Sequence, residues 1–117
     1  MNIRNYRILF ILYMGIILGL SSIPGNSFPG FKILTYDKVI HFFEYFVFGF
    51  LAMKSFRSLT LRRVTTIILF GLAFSIFDEI WQSFVPGRSP SPYDAIADLL
   101  GIISGVILVK YRAFFHA

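Results

Sequence analysis

Four apolar spans alternate with polar connectors along the chain, at residues 6–23, 38–53, 64–85 and 93–109. A helix needs about 20 apolar residues to cross the hydrocarbon core of a bilayer, with a range of about 17–25. The first and third spans meet that length comfortably. The second and fourth are short and carry acids at one end, so those acids must reach the interface or enter it. The pattern predicts an all-α, integral membrane four-helix bundle, with residues 1–117 as one domain.

The polar positions inside the spans keep to one face of each predicted helix. At 100° per residue, Asp37, His41, Glu44 and Phe48 share a face of span two. Ser75, Asp78, Glu79 and Gln82 fall within a wedge of roughly 100° on span three. Asp94, Asp98, Gly101 and Gly105 form one ridge of span four. Polar groups on a membrane helix turn toward other helices or a water-filled cavity. The three faces are therefore expected to meet. Rise along the axis agrees: Glu44 lies about 9 Å below Lys38, and Asp98 about 6 Å below Asp94. Small residues in span four invite close approach of another backbone at Gly101 and Gly105. Gly15 and Gly19 make a second GxxxG pair in span one, expected to pack within the monomer rather than to form a dimer.

Composition supports a lipid-solvated chain. It is 56% hydrophobic and 15% charged, with a mean hydropathy of +0.73. A soluble domain carries about 25% charged residues. Fifteen Phe exceed what a small soluble core can hide, and most of those in span two are expected to face lipid. The absence of Cys excludes disulfides, thiolate metal sites and cysteine nucleophiles. A net charge of +5 raises nucleic acid as a partner, but the cations fall between spans and form no RNA-binding motif.

Their placement predicts topology instead. Arg4, Arg7, Lys54, Arg57, Arg62, Arg63, Lys110 and Arg112 fall on one side, eight of the eleven basic residues. The positive-inside rule makes that side cytoplasmic, with both termini there. Lys32, Lys38, Arg88 and all six acids then lie on the extracytoplasmic half. Arg4 and Arg7 before an apolar run also resemble a signal peptide. The run is long for one, and Gly19-Leu20-Ser21-Ser22 is a poor cleavage site, so span one reads as a retained helix. The connectors at 22–36 and 85–92 hold the prolines and are expected to be irregular.

Each polar residue has a plain structural reading beside a functional one. Ser91-Pro92-Tyr93-Asp94 matches a capping box with Pro at the first helical position, which alone could account for Asp94. Asp37 sits where a helix start favours an acid. Lys38 suits an interfacial anchor, and Tyr6, Trp81 and Tyr93 suit the aromatic belt. Arg88 reads as a loop charge or as the inward partner of Asp78 or Asp98. His41 has carboxylates on its own face, and Glu44, Asp78, Glu79 and Asp98 lie within spans, where an ionisable group marks a functional site by default. The candidate ligand-binding set is Asp37, Lys38, His41, Glu44, Asp78, Glu79, Gln82, Arg88, Asp94 and Asp98. Candidates for acid–base catalysis are His41, Glu44, Asp78 and Glu79. Such a set can also ligate a divalent cation. No HExxH, GxSxG or P-loop pattern is present.

The stretch Asp37-Lys38-Val39-Ile40-His41-Phe42-Phe43-Glu44-Tyr45, the stretch Asp78-Glu79-Ile80-Trp81-Gln82-Ser83-Phe84-Val85-Pro86-Gly87-Arg88, Asp94 and the Gly101/Gly105 pair together resemble the VanZ-like family. Asp98 stands where that family often has Asn, which adds a carboxylate. The resemblance implies a small multi-pass protein of the bacterial cytoplasmic membrane. It links the chain by name to teicoplanin resistance and supplies no biochemical activity.

Three function classes are compatible with these residues. The first is an accessory or binding protein of the cell envelope, with an acidic pocket facing outward. Its partner would be a lipid headgroup, a lipid-linked wall precursor or a glycopeptide, and a homo-oligomer is compatible. The second is a membrane-embedded hydrolase or transferase acting on a lipid-linked phosphate or ester. The third, an ion-coupled transporter, lacks ionisable groups in the cytoplasmic halves of the spans.

Overall fold

A computed structural model describes residues 1–24, 34–88 and 90–115, with backbone alone for 34–37 and 114–115. Four helices follow one another: α1 (Ile3–Ser21), α2 (Leu34–Lys54), α3 (Leu61–Ser83) and α4 (Pro92–Phe115). The protein is an all-α, four-helix membrane protein. Helices α1, α3 and α4 are each long and apolar enough to cross a bilayer. Helix α2 carries Asp37, Lys38, Glu44 and Lys54 and is less uniformly apolar.

Local chemistry sets the helix ends. Asn2 caps α1 by accepting the Asn5 N–H at 2.9 Å. Thr60 caps α3 by accepting the Arg63 N–H at 3.2 Å. The observed helices extend beyond the apolar spans at both ends of α2 and at the far end of α4, because polar turns continue a helix past the hydrocarbon layer. Helix α3 stops at Ser83, two residues inside the predicted end, where the chain turns through Pro86 and Gly87. Gly87 has φ +75°, a left-handed conformation that glycine adopts at no steric cost.

Short-range contacts between helix ends fix an up-down-up-down arrangement. At one end, Arg7 Nε donates to the Ser55 carbonyl at 2.8 Å. There the guanidinium groups of Arg7 and Arg63 lie 5.8 and 4.5 Å from the Phe56 ring centroid, and Lys54 lies 5.3 Å from that of Tyr6. Such cation–π contacts hold basic side chains against the aromatic rim. At the opposite end, Trp81 Nε1 donates to Ser22 Oγ at 2.8 Å and Gln82 Nε2 to Ser21 Oγ at 3.1 Å.

Helices α2 and α4 form the centre. A Cβ placed on Gly101 would lie 2.2 Å from the Phe42 carbonyl oxygen, and one on Gly105 would lie 2.3 Å from that of Phe46. From the other side, a Cβ on Gly49 would come within 2.5 Å of the Ile102 carbonyl oxygen. The two backbones are therefore in direct contact, as small residues allow. Gly15 and Gly19 behave differently: among the described residues, an added Cβ meets nothing within 4 Å at either position. The within-monomer packing expected of that pair is not made, because α1 turns its glycine ridge outward with Ile8 and Leu12.

The apolar core comprises Ile17, Tyr45, Phe48, Ala52, Met53, Ile67, Ile102, Val106 and Val109. Phe48 is fully buried and centres an aromatic cluster, with ring centroids 4.9 Å from Phe10 and 5.4 Å from Phe74. The lipid-facing expectation thus fits Phe43, which is exposed, and fails for Phe48, which shares a face with Tyr45. Ile11, Leu12 and Ile16 of α1, Leu69 and Ile80 of α3, and Leu100 and Ile107 of α4 face outward. Lipid tails solvate such side chains at no hydrophobic cost.

Candidate functional site

Above the glycine seam, α2, α3 and α4 bring their polar faces together at the end opposite Arg7 and Arg63. Asp98 is the centre of this cluster. It is fully buried, and each of its oxygens has a partner. His41 Nδ1 lies 2.8 Å from Oδ1, and Ser75 Oγ donates to Oδ2 at 2.7 Å. One carboxylate of α4 thus ties α2 to α3. Gly101 makes this reach feasible: it lies one turn below Asp98 and lets α2 come close.

One turn along α2 from His41, Tyr45 repeats the arrangement. Its hydroxyl donates to Asp78 Oδ2 at 2.9 Å. Asp78 is fully buried, and its other oxygen, Oδ1, has no hydrogen-bond partner. Burying an unpaired polar atom is costly, so Asp78 is conspicuous energetically. Oε1 of its neighbour Glu79 is likewise buried without a partner.

Toward the helix ends, Asp94 combines the structural and charged roles that its position suggests. Its Oδ2 accepts the Ser91 N–H at 3.2 Å, while Ser91 Oγ accepts the Tyr93 N–H at 3.2 Å. That is the expected cap. Its Oδ1 also pairs with Lys38 Nζ, and its Oδ2 lies 3.9 Å from His41 Nε2. The imidazole therefore sits between two carboxylates of α4. Asp94 is buried, whereas Lys38 keeps 24% of its side chain exposed.

Three other candidates are placed differently. Glu44 is half-buried and within coulombic range of His41, Asp78 and Asp98, while its backbone carbonyl accepts from Tyr13 Oη at 2.6 Å. Gln82 donates to Ser21 Oγ of α1, outside the acidic cluster. Arg88 Nη1 reaches the Ile23 carbonyl at 3.5 Å. Among the described residues, no hydrogen bond or ion pair joins Arg88 to Asp78 or Asp98, where the pairing was expected. Asp98 is satisfied by His41 and Ser75, and Asp78 by Tyr45 on one oxygen. Asp37 lies in α2, with its side chain outside the described residues.

Tyr45 and Ser75 stand outside the candidate ligand set, although Ser75 belongs to the polar wedge of span three. Both carried a signal: Tyr45 is four residues from His41, and Ser75 three from Asp78, on the same faces. Chemically, the cluster offers an oriented imidazole, several carboxylates in low-dielectric surroundings and one ammonium near the surface. It could hold a cation, an ammonium- or hydroxyl-bearing headgroup, or a group undergoing proton transfer.

The sequence matches the model of the VanZ/LLP1 family over residues 4–115, nearly its whole length, and the chain belongs to that family. Comparison with curated proteins gives no match, and comparison with solved structures gives none.

Proposed function

We propose that this VanZ/LLP1 protein is a multi-pass binding or accessory protein of the bacterial cytoplasmic membrane. Both termini are cytoplasmic, and the acidic, His41-containing cluster lies in the extracytoplasmic half. There it takes the polar head of a membrane lipid or of a lipid-linked wall precursor. A lipoglycopeptide of the teicoplanin type is a further candidate ligand, from the family's name. One observation carries this reading: His41, Asp78, Asp94 and Asp98 are buried together at the end where Lys38 remains partly exposed. A structural bundle gains little from buried acids, since apolar replacements of similar size are often as stable. The free oxygens of Asp78 and Glu79 add unmet hydrogen-bonding capacity facing the same helices.

Native mass spectrometry of the protein extracted from bacterial membranes tests the reading. A retained phosphate-bearing lipid is expected, lost in Lys38→Met and in Asp98→Asn. Retention equal in all three proteins, or none in the wild type, overturns it. Expression in a teicoplanin-susceptible bacterium tests the antibiotic arm separately.

A second reading is supported by His41 alone. An imidazole oriented by Asp98 and flanked by Asp94 has the arrangement of a general acid–base. The protein would then be a membrane-embedded hydrolase or transferase acting on a lipid-linked phosphate or ester. Release of phosphate from a lipid-linked diphosphate, abolished by His41→Gln, is the outcome that favours it.

A further inference from the structure

Among the described residues, His41, Glu79 and Asp98 each present one donor atom, and the three atoms lie within 4.8 Å of one another. They come from three different helices. Zinc binds nitrogen and carboxylate oxygen at about 2.0–2.2 Å, so neighbouring ligand atoms around it lie about 3–3.5 Å apart. The 2.8 Å between His41 Nδ1 and Asp98 Oδ1 is close to that spacing already. Glu79 closes the remainder by rotating a flexible side chain whose Oε1 has no partner to give up.

The surroundings supply what a metal site needs beyond its ligands. Ser75 holds the far oxygen of Asp98, and Tyr45 holds one oxygen of Asp78. The Nε2 side of His41 faces Asp94 at 3.9 Å. Such outer hydrogen bonds fix the orientation of ligating carboxylates and imidazoles. Asp78 Oδ1 is a second observation beside the three donors. It belongs to a fully buried side chain, has no hydrogen bond, and sits one turn from Ser75 on the face that touches Asp98. A cation held by the three would take up Glu79 Oε1 and would offset the repulsion among the neighbouring carboxylates, Asp78 included.

We propose that His41, Glu79 and Asp98 bind one divalent transition-metal ion of the zinc or manganese class. One imidazole among carboxylates suits these ions, whereas calcium and magnesium take oxygen ligands. The ion displaces the proton shared by His41 Nδ1 and Asp98 Oδ1, so binding releases a proton. This inference rests on the reading of the cluster as a ligand site. It adds a cation to which a phosphate-bearing headgroup could attach.

The test is titration of chelator-stripped, purified protein in detergent with zinc chloride or manganese chloride alone, followed calorimetrically. One ion per chain is expected, with zinc or manganese tighter than calcium or magnesium. Asp98→Asn and Glu79→Gln should weaken binding by about 10–100-fold. Glu44→Gln removes a nearby charge without removing a donor and should weaken it far less. Equal loss in the three variants reduces the site to diffuse negative charge and overturns the proposal. X-ray absorption on the zinc-loaded wild type keeps the test independent of variant folding. A nitrogen ligand among oxygens is expected; an all-oxygen shell, or no saturable binding, sinks the idea. No lipid is added, so failure here leaves lipid retention untouched, and lost retention leaves metal binding untouched.

Discussion

Helices α1 and α4 are alike in sequence style and opposite in use. Both are long, apolar and carry a GxxxG pair. In α4, Gly101 and Gly105 are pressed against the backbone of α2, and the same ridge continues into buried Asp98 and Asp94. In α1, Gly15 and Gly19 face open space on a ridge shared with exposed Ile8 and Leu12. The bundle holds α1 by scattered contacts: Tyr13 to the Glu44 carbonyl, Ser21 to Gln82, Ser22 to Trp81, and Phe10 against Phe48. The motif therefore permits close approach without causing it. What distinguishes α4 is a polar ridge that lipid cannot solvate and that must find partners within the protein.

The comparison can be broken first at Asp98. Asp98→Ala strands His41 and Ser75 together, and leaving a buried polar group without its partner costs about 1–3 kcal/mol for each. Chemical unfolding in mixed micelles should show a loss of that order. A loss below about 1 kcal/mol, typical of an exposed pair, would mean the cluster is hydrated and not part of the core.

Next comes Gly101→Ala. Its methyl would stand 2.2 Å from the Phe42 carbonyl oxygen, which is backbone and cannot rotate away. Overpacking of this kind costs about 1–3 kcal/mol, occasionally more. The same unfolding assay should register it, and zinc or lipid retention should fall as His41 and Asp98 separate. An unchanged midpoint would show that α2 and α4 are less tightly apposed.

Tyr13→Phe sharpens the α1 side. It removes one hydrogen bond to a backbone carbonyl of α2, worth about 0.5–1.5 kcal/mol. A larger loss would make α1 a more integral part of the bundle than its contacts indicate. Gly15→Ala costs nothing in packing and should stabilise by about 0.4–1 kcal/mol, the gain expected where alanine fits an open helical position. Oligomeric state measured on the same variant is informative: a shift would assign the open ridge to an intermolecular contact.

Much of this architecture is legible in the sequence. The spans give the helices, and helical phase puts His41, Asp78 and Asp98 on faces that meet. The errors have identifiable physical origins. Charge alone matches Arg88 to Asp78 or Asp98, but hydroxyls and an imidazole reach those acids from neighbouring helices, while Arg88 belongs to a loop at the rim. Gln82 shares the phase of Asp78 but lies about 6 Å nearer the helix end, level with the last turn of α1. Phase alone does not carry depth. The two GxxxG pairs were indistinguishable as motifs, and only the residues continuing each ridge told them apart. Tyr45 and Ser75 lie on the faces that meet, but a hydroxyl is routine in a membrane helix, and its importance depends on a partner in another segment.

The contact between Phe42 and Gly101 also sets alignment. A slip of one residue along α4 would move Asp98 about 1.5 Å along the axis and 100° around it, away from His41. Side chains on a smooth helix face can tolerate such slippage by repacking. A carbonyl lodged where a Cβ would be cannot. The missing methyl groups of Gly101 and Gly105 thus act as a mechanical stop, indexing one helix against the other before any ligand arrives. Polar chemistry in the upper half of the bundle inherits its tolerance from an apolar joint that carries no functional group at all.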